Sequence, residues 1–389
     1  MSEKFNIRPK KILFVSPNLA AGGAQRQLIN IANGFHRRGY EVSVFLFYDK
    51  GNLRDSLDKS IKILSPSSMK ILERLKLLWI ICGTLRLFGA VMTEKPDVLY
   101  SRQWPKIPVA IIGKILKVKT VSVEGNNLEH TLLLRKRPLL FRIRRLCAQL
   151  SDKVVANSSS LACEVKEVFS LDSDVAVIYN GIDIENIREK SKEEQNHKWL
   201  GAEAPLILAM GYLKDEQKGF PYLLEALEIV NRVKSARLII IGNGKKEKLE
   251  ELSERLSIRD KTDFFSTVPN PFPYVAKADI FACSSLYEGL SNVILEALAL
   301  GKPVISTDHK HGANEIIENG KNGILVPIRN PQKMAEAILK ILEDAELRRH
   351  LEEEAKKRSE NFSREKMISG YEKLFSEMWR AIPEKDPAA

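Results

Sequence analysis

The chain has 389 residues, the length of two ordinary domains or one unusually large one, and at 44% hydrophobic and 29% charged its balance suits a soluble globular protein and excludes a disordered or fibrous one. Its four cysteines, Cys82, Cys147, Cys163 and Cys283, are scattered without a Cys-x-x-Cys pair, which excludes a disulfide scaffold or a cysteine-rich zinc site and leaves free thiols, expected to be buried in a reducing compartment. The formal net charge of +11 is one-sided, because residues 1–185 hold 29 Lys+Arg against 17 Asp+Glu, so an anionic partner or surface is expected for that half.

The polar, basic start lacks the apolar core of a signal peptide. The segment KILFVS (11–16) is a strand candidate, followed by the glycine pair of LAAGGAQRQL and a helical pattern at Leu28, Ile31, Ala32 and Phe35. Gly39 ends that helix, and EVSVFLFY (41–48) is the next strand. The most apolar stretch, LLWIICGTLRLFGAVM (77–92), is broken by Arg86 and falls short of the ~20 residues that span a bilayer. Strand candidates DVLYS (97–101), TVSVE (120–124), KVVANS (153–158) and AVIYNGID (176–183) complete a first β-α-β series.

The charged run ENIREKSKEEQNH (185–197) reads as a linker or surface helix and places a domain boundary at 187/188. A second series follows: strands in LILAMGYL, RLIIIGNG, DFFSTV, DIFACS, PVISTD and GILVP, with helices YLLEALEIVNRV, KKEKLEELSERL and SNVILEALAL between them. Two such series predict an α/β chain of two doubly wound, Rossmann-like parallel sheets facing a cleft.

The segment EGLSNVILEA (288–297) carries the chemistry. It joins a strand to a helix, with Ser291 at the N-cap position, so backbone N–H groups from Gly289 to Val293 are placed to meet an anion or hydroxyls. Glu288 stands at the mouth, and Glu296 lies about one turn inside an apolar helix, where a carboxylate is costly unless something satisfies it. Two carboxylates so placed suit a polyol.

Together with A-x-G-x-P-V-I after it, this segment resembles the signature of the retaining glycosyltransferases of family 4, of GT-B fold and bacterial cell-surface glycan type. GGAQRQ, VIYNGID, MGYLKDEQKGFPYLLEA and HGANEIIENGKNGILVP resemble four further blocks of that family, in family order over about residues 11–345. The resemblance implies that Glu296 accepts hydrogen bonds from the ribose of a nucleotide and that Glu288 contacts the donor sugar. Leu290, Ser291, Asn292 and Val293 would hold sugar hydroxyls or phosphate. Lys218 would neutralise the leaving diphosphate, a role with a clear physical basis because charge builds there in the transition state. Gly22 and Gly23 would let backbone approach the same diphosphate.

Three positions depart from the pattern. Tyr212 replaces an arginine, for which Lys214 or Arg102 are the available substitutes. Ser291 stands where many members have a second glycine. In TVSVEGNN, Glu124 occupies the place of a histidine and Gly125 that of an arginine; a direct role for Glu124 on acceptor or sugar and a structural strand-end role both stay open. IGNGKKE (241–247) lacks the third glycine of a dinucleotide fingerprint and reads as a strand-end turn. The Asp-x-Asp of LDSDV (171–175) reads as a solvated turn, and His309 and His311 are weak as metal ligands. Metal independence is what the resemblance implies.

In LLLRKRPLLFRIRRLCAQL (132–150), Arg135, Lys136, Arg137, Arg142, Arg144 and Arg145 alternate with large apolar residues, a composition that can lie on an anionic leaflet. No nucleic-acid module is present. The expectation is an acceptor-binding, membrane-facing domain (1–187), a nucleotide-sugar-binding domain (188–363), and a final helix (364–382) packing back on the first. The reaction expected is transfer of a hexose or N-acetylhexosamine, with retention, from a nucleotide diphosphate sugar, UDP by family habit. The acceptor is a hydroxyl of a lipid-linked saccharide, on the cytoplasmic face of the cell membrane. A nucleotide-sugar epimerase of the same fold and a non-enzymatic membrane adaptor are the alternatives.

Overall fold

The computed structural model describes residues 10–20, 22–65, 76–125, 138–213, 216–265 and 268–380. They form two compact units, one up to Gly181 together with the residues from Arg364, the other Ile182–Ser363.

The first unit runs β1 (Lys11–Ser16), α1 (Gly23–Arg37), β2 (Glu41–Leu46), β3 (Lys62–Leu64), α2 (Lys76–Glu94), β4 (Val98–Arg102), α3 (Lys106–Leu116), β5 (Lys119–Glu124), α4 (Pro138–Leu150), β6 (Lys153–Ala156), α5 (Ser159–Phe169) and β7 (Ala176–Val177). Its sheet has the order β3-β2-β1-β4-β5-β6-β7, with every pair parallel. Strands covered on both faces need unbroken apolar runs, and β1 and β4 supply them: Ile12, Phe14, Val98 and Tyr100 pack on one side, Leu13, Val15 and Leu99 on the other. The helix α1 stops where glycine lets the chain turn left-handed. Gly39 has φ 83°, its N–H meets the carbonyl of His36 at 2.9 Å, and that of Tyr40 meets Phe35 at 3.2 Å. This is a Schellman closure, with its hydrophobic contact made by the Phe35 and Tyr40 rings at 4.9 Å.

The second unit contains α6 (Ile184–Lys190), β8 (Leu206–Met210), α7 (Phe220–Asn231), β9 (Arg237–Ile241), α8 (Glu247–Arg255), β10 (Thr262–Phe265), α9 (Phe272–Lys277), β11 (Ile280–Cys283), α10 (Asn292–Ala299), β12 (Val304–Thr307), α11 (Ala313–Ile316), β13 (Ile324–Val326), α12 (Pro331–Glu343) and α13 (Ala345–Ser359). Its sheet order is β10-β9-β8-β11-β12-β13, again parallel throughout. The last helix, α14 (Arg364–Arg380), belongs to the first unit, where Ile368, Tyr371 and Phe375 join the core beside α1. Among the described residues no helix is long and apolar enough to cross a membrane.

The cysteines divide: Cys147 and Cys283 are buried thiols, Cys82 is half-buried, and Cys163 is exposed. The last departs from the expectation of burial because it lies on the outer side of the amphipathic helix α5, whose inner side presents Leu161, Val165 and Phe169.

Candidate active site

In each sheet the chain winds outward from its first strand in one direction and then in the other. In the second unit the reversal falls between β8 and β11. The loops after those two strands start side by side at their C-terminal ends there, and such a point is where open α/β sheets bind ligands. Lys218 lies in the loop after β8 and Glu288 in the loop after β11.

The two loops are pressed together at Gly219, which has φ 59° and whose missing Cβ would lie 2.1 Å from the carbonyl oxygen of Ser284. No other residue fits both that space and that backbone. Hydrogen bonds fix the contact: the Leu286 N–H donates to Gln217 at 2.7 Å, the Ser284 hydroxyl to the Lys218 carbonyl at 2.7 Å, and the Gln217 amide to the Tyr287 carbonyl at 2.8 Å. Lys218 and Glu288 are thereby delivered into an ion pair whose side chains are 18% and 13% exposed.

Ser285 donates to Glu288 Oε1 at 2.9 Å and Gln217 to Oε2 at 3.2 Å. Burial pushes the Glu288 carboxyl up, but Lys218, His309 and Ser285 together outweigh it and hold the group below the ordinary carboxylate value. Glu288 is therefore a carboxylate at neutral pH, with lone pairs beyond those its protein partners use. An ammonium carries three N–H donors, so Lys218 can hold Glu288 and a phosphate oxygen together.

The loop runs on through Leu290, which is buried, into α10. Ser291 occupies the N-cap position with extended backbone, as expected, but its hydroxyl makes no capping bond. Asn292 and Val293 form the first turn, half-buried. Glu296 is 6% exposed in the second turn, among Ile294, Leu295 and Ala297. Leu295 and Leu298 are buried with them, and Glu296 is the polar exception among the buried positions of α10.

One residue at this sheet edge escaped sequence reasoning. His309 follows β12 and in sequence is no more than a weak metal ligand, yet the structure buries it, 1% exposed, beside Glu288 and Lys218. The signal was available. In a parallel sheet every strand delivers its C-terminal residue to the same edge, so the residue after PVISTD had to emerge beside the EGLS loop.

In the first unit Gly22 is the N-cap of α1, extended at φ −174°, and its missing Cβ would lie 2.7 Å from Gln25 Oε1; Gly23 is the first residue of the helix. Both follow β1, next to that unit's own reversal between β1 and β4. Glu124 ends β5 as a buried carboxylate locked between two cations: an ion pair with buried Lys106, and Arg144 Nη2 at 3.1 Å. Glu124 thus stands at a strand end inside a buried ion-pair cluster. The structure also turns Arg144 inward, its guanidinium 5.8 Å from the Phe169 ring, away from the expected basic face. Arg142 is exposed and Arg145 half-buried; Arg135, Lys136 and Arg137 lie outside the described residues, as does Lys214. Tyr212 is exposed. Arg102 is buried at the end of β4, its guanidinium 2.8 Å from where a Gly125 Cβ would stand and 3.5 Å from Asn180 Oδ1. Asp172 and Asp174 are exposed, Asp174 bound to Lys166.

Two doubly wound parallel sheets, the second with a cation–carboxylate pair at its reversal point, define the class: an α/β protein with the ligand crevice of the nucleotide-binding folds. Comparison with known proteins gives the family. Residues 21–186 match glycosyltransferase family 4 and residues 190–358 match glycosyl transferases group 1. The chain belongs to the GT-B glycosyltransferases of the family 4 type, and it is a transferase.

Among its relatives is an N-acetylgalactosamine-N,N'-diacetylbacillosaminyl-diphospho-undecaprenol 4-alpha-N-acetylgalactosaminyltransferase of Campylobacter jejuni, 28% identical over 90% of this chain and 95% of that one. The lipopolysaccharide core biosynthesis glycosyltransferase LpsE of Rhizobium meliloti is 27% identical over 91% and 96%. HepE of Anabaena, solved in complex with UDP, superposes with TM-score 0.78 at 24% identity, covering 94% of this chain and 100% of that one.

Proposed function

We propose that the protein transfers a hexose or N-acetylhexosamine from UDP to a hydroxyl of a lipid-linked saccharide, with retention at the anomeric carbon. The observation that carries this is the Lys218–Glu288 pair at the reversal point of the second sheet. Lys218 takes the charge that develops on the leaving diphosphate, the start of α10 supplies further positive potential, and Glu288 accepts from hydroxyls of the sugar. Glu296 takes the ribose hydroxyls. The departing phosphate receives the acceptor's proton on the face it leaves, a route that uses no enzymic nucleophile. Because a protein cation neutralises the diphosphate, the reaction proceeds without a divalent metal.

The choice of UDP is supported by the ligand of the Anabaena structure, and the lipid-linked acceptor by the Campylobacter relative, which acts on a diphospho-undecaprenol substrate. The first unit is the acceptor domain, and it lies on the inner face of the cell membrane. Three consecutive helices support this. α2 exposes Leu78, Ile81, Leu85 and Met92, α3 exposes Ile111 and Ile115, and α4 exposes Leu139 and Leu146. Lys114, Lys117 and Arg142 are exposed among them. An apolar surface with interspersed bases suits an anionic leaflet.

A panel of nucleotide sugars tests the reading by thermal shift, since a ligand of the native state raises its stability by mass action, and by acceptor-dependent release of UDP. Activity should survive chelation of divalent cations. Glu296→Ala should abolish the UDP-induced shift. A variant that binds UDP as tightly as the native chain would remove the donor site from this helix.

A further inference from the structure

His309 is the strongest unabsorbed feature of this sheet edge. A turn seats it: its own N–H meets the Thr307 carbonyl at 3.0 Å, and the Asp308 N–H meets Val326 at 2.7 Å. The turn is held against the Glu288 loop by Gly312, which has φ 80° and whose missing Cβ would lie 2.2 Å from the Gly289 carbonyl oxygen. The Thr307 hydroxyl adds a bond to the Ser285 carbonyl. The ring is thus fixed beside Glu288 and Lys218.

Neither ring nitrogen of His309 has a hydrogen-bond partner of good geometry among the described residues, although both are buried. The His311 carbonyl lies near enough to favour a charged ring, but it can serve one N–H at most, and the second nitrogen is still unmatched. Buried polar atoms of folded proteins almost always have partners, and each exception calls for an explanation, a catalytic role or a bound molecule among them. Burial drives the imidazole below its ordinary value, Lys218 adds to this, and Glu288 and Asp308 pull it the other way. A neutral ring offers one donor and one acceptor. A phosphate has only acceptors to offer; a sugar hydroxyl both donates and accepts, so it can use either nitrogen.

We propose that His309 is a sugar-recognition residue, hydrogen-bonding a hydroxyl of the hexose being transferred and helping to set which hexose is accepted. This rests on the reading of Lys218 and Glu288 as the donor site. A site built to bond a hydroxyl discriminates strongly against a sugar that places it elsewhere, because its buried polar atoms are then left unmatched.

The test uses the full chain and three variants, His309→Phe, His309→Ala and His309→Gln, with UDP, UDP-glucose, UDP-galactose, UDP-N-acetylglucosamine and UDP-N-acetylgalactosamine as probes. UDP affinity should stay within about twofold of the native chain in all three, while kcat/KM for the preferred donor falls about tenfold or more in the Phe and Ala forms. Preference among the four sugars should flatten. Gln, which keeps a donor and an acceptor, should restore part of both, and it carries the test if the Phe form does not fold. UDP bound as before with an unchanged order of sugars would overturn the role of His309 alone. Absence of UDP binding to the native chain would overturn the donor-site reading, and this inference with it.

Discussion

Lys218 and Glu288, 70 positions apart in sequence, form one buried ion pair because Gly219 lets the loop of one strand lie against the loop of its neighbour. Breaking such a pair from one side leaves a charge buried without compensation, which costs about 3–5 kcal/mol. Lys218→Met should therefore lower the unfolding free energy by about that amount, and Lys218→Met with Glu288→Gln should recover most of it, since Gln keeps the bond to Ser285. Both forms should be inactive. Urea unfolding and a turnover assay separate the two effects; a double variant that regains activity would show that the pair serves the fold only.

The same pair predicts acid sensitivity. Glu288 and Glu124 are both held below the ordinary carboxylate value of 4.5, against the upward push of burial, chiefly by Lys218 in one case and by Lys106 and Arg144 in the other. A carboxyl depressed in the folded state contributes stability that is fully present above the unfolded value and is lost as pH falls through the folded one. Melting temperature should therefore hold down to about pH 5 and drop steeply below about 4.5. Glu288→Gln paired with Lys218→Met should flatten that slope, because one of the titrating groups is gone.

Much of this was legible beforehand. All-parallel, doubly wound sheets bury both faces of their strands, so the strands stood out as apolar runs, and β1 was expected at its observed bounds. The three-residue β3 and the short α9 and α11 carried too little pattern to be read as such, and β7 is only two residues of the strand expected in AVIYNGID (176–183). Glu288 and Glu296 could be singled out because they share one motif and Lys218 because it stands in another, but the meeting of Lys218 with Glu288 across 70 positions could not be foreseen. The partners of Glu124 were not legible either. Lys106 and Arg144 reach it from two helices, and no spacing in sequence encodes a contact between elements that only packing brings together. Composition places Arg144 on a basic face, but composition cannot say toward which side of a helix one guanidinium turns.

Glu124 is expected to act through the fold. Lys106 is buried and its charge is disfavoured chiefly by that burial, with Glu124 opposing. Glu124→Ala should cost about 3–5 kcal/mol, whereas Glu124→Gln with Lys106→Met should be far milder. Hydrogen exchange on α3 and α4 would localise the effect. A Glu124→Gln variant of native stability with turnover reduced a hundredfold would instead place this carboxylate in the chemistry.

The exposed apolar residues of α2, α3 and α4 predict a measurable partition onto membranes. Leu85→Ser, Ile115→Ser and Leu139→Ser together remove three of the most exposed side chains from that surface, and each apolar group withdrawn from lipid loses about 1.5–3 kcal/mol at full burial. Flotation with vesicles containing anionic lipid should show the native chain bound and the triple variant mostly free. Transfer to a water-soluble acceptor should be preserved. Equal flotation of both would remove this face from the interface.

The helix α14 supplies a last prediction, in which two effects of opposite sign compete. Gly34 lies inside α1, where Ala is ordinarily better by about 0.5–1 kcal/mol. Yet a Cβ there would stand 2.0 Å from Cδ1 of Ile368 on α14, and overpacking of a filled core costs about 1–3 kcal/mol. The clash should win, making Gly34→Ala destabilising by about 1–2 kcal/mol. Ile368→Ala removes the obstructing atoms and by itself should cost about 2–5 kcal/mol through the cavity it leaves. In that background the sign should reverse, since the new methyl enters empty space and the helix gains its propensity. Denaturant unfolding of the four members of this cycle measures the coupling directly, and strict additivity of the two substitutions would mean that α14 does not press on α1 at Gly34.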